Sequence, residues 1–143
     1  MISLLDAAHR HVVYWYIVFS DRENEYWWNR WLMRGFQHVQ AWREIRYGKR
    51  PDDVMWLHVD PFAAATLVDV VFEPEPPWRW DKTLTVVHVS SACDAQKVRE
   101  LFAFGPISCV ETMKSLLGVK SFWIRTPRQL YNHICKHNGV LIS

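Results

Sequence analysis

The sequence predicts an α+β domain: an antiparallel sheet of about five strands with helices packed on one side. Three observations support it. Five short segments rich in β-branched and aromatic residues lie in the first two thirds of the chain. The helix signals gather in the last third, which argues against alternating βαβ units. At 143 residues, half of them apolar or aromatic, the chain has the length and the hydrophobic content of one domain with its own core, and residues 1–143 are read as such.

The first strand is Val12 to Phe19, apolar throughout and bounded by polar residues. Ser20 to Glu25 is a polar loop, after which Asp21 or Asn24 caps a short helix carrying Tyr26, Trp27, Arg30, Trp31 and Met33, ended by Gly35. Phe36 to Ile45 is the second strand and Val54 to Asp60 the third, closed by Pro61. The Gly, Pro and Asp residues of Tyr47 to Asp53 make the two a hairpin. Thr66 to Phe72 and Thr83 to Val89 complete the five, separated by a proline-rich excursion over Glu73 to Trp80. Asp94 then caps a short helix with Val98, Leu101 and Phe102. Gly105 to Ser108 breaks the chain before a helix from Cys109 to Leu117, stopped by Gly118. Ser121 to Ile124 reads as a last short strand. Thr126-Pro127-Arg128-Gln129 is a capping box opening the final helix, whose inward face carries Leu130, Ile134 and Tyr131.

Composition excludes several classes of function. Seventeen Lys and Arg nearly balance fifteen Asp and Glu, a net charge of +2, so no nucleic-acid footprint is visible. No signal peptide or transmembrane helix is expected: the apolar run Val12 to Phe19 falls far short of the roughly 20 residues a membrane span needs. Cys93, Cys109 and Cys135 are too widely spaced for a disulfide framework or a zinc pair, which suits synthesis in a reducing cytoplasm. His9 with His11, or His58 with His88, lack a spacing that fixes a metal, so neither metal nor other cofactor is expected. There is no glycine-rich phosphate loop. Tryptophan is the oddity, nine in the chain, with Trp27, Trp28 and Trp31 in one segment and Trp78 and Trp80 in another. Such residues fill cores, and they also line interfaces.

Cys109 is the first candidate for chemistry. Orphan N–H groups and the dipole at a helix start favour a thiolate, and N–H groups there also donate to an oxyanion. The alternative is that Cys109, with Met113, Leu116 and Leu117, is apolar filler. His38, in a strand with Phe36, Gln40 and Trp42 on one face, is the matching base. On the next strand His58 and Asp60 stand two apart, on one side, and either could orient the imidazole. Asp60 is preferred because a carboxylate also stabilises the imidazolium. Cys93, in a loop before a helix, is the runner-up nucleophile. Cys135 is discounted because the end of a helix disfavours an anion.

Three stretches carry a resemblance: Arg34-Gly35-Phe36-Gln37-His38-Val39, then Trp56-Leu57-His58-Val59-Asp60-Pro61, then Ser108-Cys109-Val110 opening a helix that ends Leu117-Gly118-Val119. Together with Thr126 to Tyr131 they look like small phage and prophage proteins similar to circularly permuted papain-like cysteine hydrolases of the NlpC type. The likeness covers roughly residues 34–132. In that order the histidine strands precede the cysteine helix, as here. The resemblance implies Cys109 as nucleophile, His38 as base and Asp60 as orienter, acting on an amide or ester, with a peptidoglycan peptide as the natural substrate. The competing expectation is a non-catalytic virion protein of tail or head on the same scaffold. It would sit in a phage particle and dock on other virion proteins through Trp27, Trp28, Trp31, Trp78 and Trp80.

Overall fold

The computed structural model describes residues 11–21, 31–61, 66–93 and 109–142. Among them are six strands and two helices: β1 (His11–Ser20), β2 (His38–Arg46), β3 (Val54–Pro61), β4 (Thr66–Val71), β5 (Thr85–Cys93), α1 (Cys109–Leu117), α2 (Pro127–His137) and β6 (Val140–Leu141). The strands form one sheet in the order β4-β3-β2-β1-β5-β6, antiparallel at every pairing. The α+β class follows, with six strands rather than five.

Alternation divides the two faces. Val13, Trp15, Ile17 and Phe19 of β1 point to one side, joined by Val39, Ala41, Val59, Val87 and Val89. Val110, Met113, Ile124, Leu130 and Ile134 from the helical part cover that side. The opposite face buries Val18, Trp42, Val54, Trp56 and Val86, with Trp78 of the proline-rich excursion packed over them. One cross-strand row there is aromatic: His58 pairs with Trp42, Trp42 with Tyr16, and Tyr16 with His88. The His58 ring stacks on Trp42 at 3.9 Å between centroids, and His88 lies 4.7 Å from Tyr16. His58 and His88 are thus three strand spacings apart, roughly 14 Å, too far to share a metal.

The differences from the sequence reading have local causes. β2 starts at His38, not Phe36, because Gly35 adopts φ 79° and Phe36 N–H bonds back to Met33 O at 3.0 Å. That turn puts Phe36 in the helix-side core, against Phe19 and Tyr131, not on the face of Gln40 and Trp42. β5 begins at Thr85, since the Asp81 carboxylate accepts from Thr83 N–H (2.9 Å) and ties that stretch into a turn. The strand then runs on through Cys93, beyond the end at Val89 that its sequence suggests. Ser121 to Ile124 forms no strand: Ile124 alone is buried. β6 was not anticipated. It follows Gly139, where an added Cβ would sit 2.7 Å from both Ile134 Cγ2 and Val87 Cγ1. At the other end of that unit, Thr126 and Gln129 form the expected capping box of α2. The helix capped by Asp94, most of the one from Tyr26 to Met33, and the approach Gly105 to Ser108 lie outside the described residues.

Candidate functional site

Antiparallel pairing fixes where the candidate side chains meet. β2 begins with His38, and β3 ends with Asp60 and Pro61, so both lie at one end of the sheet. Ser20, the last residue of β1, pairs with His38 at that same end. The Gly35 turn delivers the chain there. Its N–H donates to Asp21 Oδ1, Gln37 N–H continues the ladder to Ser20 O at 3.0 Å, and Phe36 anchors the segment in the core.

His38 Nε2–H donates to Asp60 Oδ1 at 2.5 Å, with the two side chains 8% and 13% exposed. Cys109, the first residue of α1, stands close enough to His38 to help raise its pKa. With Nε2 donating to the carboxylate, Nδ1 is the ring nitrogen that can accept a proton. By strand parity His38 belongs with Gln40 and Trp42, on the face away from α1. Burial disfavours a charged His38, yet the hydrogen bonds to Asp60 and then Cys109, with the charges of both groups, outweigh it and hold its pKa above the ordinary imidazole value. Cys109 itself is half-buried, with free sulfur.

His58, the alternative orienter, is engaged elsewhere. Its Nε2 lies 2.7 Å from Gln40 Oε1 and its Nδ1 3.2 Å from Asp69 Oδ1, with the ring held flat on Trp42. The arrangement therefore brings together Cys109, His38 and Asp60 and leaves His58 as a neighbour in a separate polar group. Cys135 is exposed on α2. Cys93 ends β5, paired with His11.

The tryptophans divide. Trp78 packs inside the second core, 4.9 Å from Tyr16 and 5.0 Å from Trp56 between ring centroids. Trp31 and Trp80 are 75% and 79% exposed. Trp27, Trp28 and His9 fall outside the described residues. Two further features went unnoticed in the sequence. One is the exposed pair Phe122 and Trp123, in a stretch of strand-like composition. The other is His133 with His137, one helical turn apart on α2 with ring centroids 4.4 Å apart. The His-x-x-x-His spacing was there to be read. Among the described residues no group of three or more His, Cys, Asp or Glu side chains could hold a metal ion, and no helix is long and apolar enough to cross a membrane.

The chain has no match among protein-family models, curated proteins or solved structures.

Proposed function

We propose that this protein is a thiol hydrolase of the circularly permuted papain-like kind, with Cys109 as nucleophile, His38 as general base and acid, and Asp60 as orienter. One observation carries the reading: His38 is hydrogen-bonded to the nearly enclosed Asp60 carboxylate and feels the side chain of a cysteine at a helix start. The His38, Asp60, Cys109 order along the chain agrees with the permuted arrangement.

The chemistry follows from the contacts. Cys109 passes its proton to His38 Nδ1, and the sulfur attacks the carbonyl carbon of an amide or ester. N–H groups in the first turn of α1 have no intrahelical acceptor and can donate to the oxyanion. His38 returns the proton to the departing amine or alcohol, leaving a thioester on Cys109. It next takes a proton from water, whose oxygen displaces the thiol and releases the acid. Asp60 holds the ring so that Nδ1 faces the sulfur and stabilises the imidazolium at each stage. The resemblance makes a peptidoglycan peptide the substrate to try first, with the enzyme carried in or made by a phage.

A second reading has its own support. The exposure of Trp31 and Trp80 suits a virion component that docks through aromatic side chains. The thiol separates the two. As a hydrolase, the protein alkylates with iodoacetamide at Cys109 faster than at exposed Cys135 near neutral pH, by mass mapping, and His38→Ala removes the advantage. Labelling that favours Cys135 and ignores His38→Ala would leave the docking reading.

A further inference from the structure

The loop joining α1 to α2 exposes two large aromatic side chains beside two basic ones. Gly118, at φ 69°, ends α1, with Val119 N–H bonded back to Lys114 O at 2.7 Å. Residues 119–126 then cross to the capping box of α2, pinned by buried Ile124. On either side of that anchor the loop turns large side chains outward: Phe122 is 67% exposed and Trp123 82%. Lys120 and Arg125 are exposed beside them, the Arg125 guanidinium 4.3 Å from the Phe122 ring centre. Arg128, one helical turn on, lies over Phe36 and Tyr131.

Charge is distributed to match. From Thr112 to Ser143 the sequence contains Lys114, Lys120, Arg125, Arg128 and Lys136 and no aspartate or glutamate. Residues 1–111 are net acidic, so the modest total of +2 hides a basic end. Lys114 is buried against Glu111 at 2.8 Å and contributes nothing outward. Of the others, Lys120 and Arg125 lie in the aromatic loop and Arg128 just after it, while Lys136 stands in the last turn of α2.

We propose that this loop docks the protein on an anionic phospholipid surface, Trp123 and Phe122 entering the headgroup boundary while Lys120 and Arg125 pair with lipid phosphates. Exposed Trp and Phe flanked by Lys and Arg, with no acidic residue in that stretch of the sequence, is the pattern that binds such interfaces. Single-stranded nucleic acid, the other polyanion to consider, suits it less well. The two rings stand 78° apart, so they offer no parallel platform for successive bases, and Arg125 already covers one of them. This docking is independent of the thiol chemistry.

Co-sedimentation of the full chain with vesicles tests it. Binding is expected to vesicles of equimolar phosphatidylcholine and phosphatidylglycerol, not to phosphatidylcholine alone, and to weaken as salt is raised. Phe122→Ser with Trp123→Ser should reduce affinity at least about tenfold, and Lys120→Gln or Arg125→Gln about fivefold each, whereas Cys109→Ala changes nothing. All these side chains are exposed or half-buried, so unchanged thermal unfolding serves as the folding control. No binding to anionic vesicles, binding indifferent to the Phe122 and Trp123 changes, or tighter retention of a single-stranded oligonucleotide than of vesicles would overturn the proposal.

Discussion

Replacing Asp60 by Asn probes the His38 contact with little change of shape. The two side chains are nearly enclosed, 8% and 13% exposed, and 2.5 Å apart, so solvent screens their interaction weakly. A hydrogen bond to a charged partner is worth about 1.5–3 kcal/mol and a neutral one about 1. Asn keeps the acceptor and removes the charge, for a loss of about 1–2 kcal/mol while His38 is protonated. The sign with pH follows from the raised pKa of His38. A group whose folded pKa lies above its unfolded value of about 6.5 stabilises fully below that value. The benefit fades as pH rises through the folded value. Urea unfolding followed by tryptophan fluorescence should therefore separate wild type and Asp60→Asn more at about pH 6 than at about pH 9, with a midpoint shift of roughly 0.5–1 M at the lower pH. An equal gap at both pH values, or a wider one at pH 9, would show that Asp60 does not hold a protonated His38.

Other substitutions test neighbouring parts of the account. His58→Phe leaves Gln40 without its 2.7 Å partner and should cost about 1–3 kcal/mol in urea unfolding, yet iodoacetamide labelling of Cys109 should stay at the wild-type rate. A fall like that of His38→Ala would make His58 part of the site. Gly139→Ala forces a methyl to within 2.7 Å of Ile134 and Val87 and should destabilise by about 1–3 kcal/mol by the same measurement. Thr126→Ala removes the side-chain half of the capping box and should cost about 1 kcal/mol, with the loss recovered in Thr126→Ser.

Elements whose residues speak through local chemistry are legible in the sequence. β1 shows as an unbroken apolar run, its Ile17, Val18 and Phe19 buried on both faces while Val12 and Tyr14 stand exposed, and α2 announces its start through Thr126, Pro127 and Gln129. Segments that depend on a distant neighbour were not. β6 is two residues long and exists because Gly139 lets the chain approach Val87 and Ile134 closely. Ser121 to Ile124 has strand-like composition, but its Phe122 and Trp123 point to solvent. At the site, Cys109 and His38 could be singled out from helix position and residue type. Between Asp60 and His58 only charge could favour Asp60, because two residues on one strand face are equivalent to a period-two argument. Cross-strand register separates them, giving His58 to Asp69 and Trp42 and leaving Asp60 within reach of His38. Tryptophan number likewise said nothing of placement: Trp78 fills a core, while Trp80, two residues on, stands in solvent.

The most direct test of the Cys109–His38 pair uses p-nitrophenyl acetate, an ester that needs no specific recognition. The hydrolase account predicts a burst of nitrophenolate with a single acetyl group found by mass spectrometry on Cys109. The burst disappears in Cys109→Ala and His38→Ala alike while both variants remain folded. Acetylation scattered over lysines, or a Cys109 adduct that forms as fast without His38 as with it, would contradict the account.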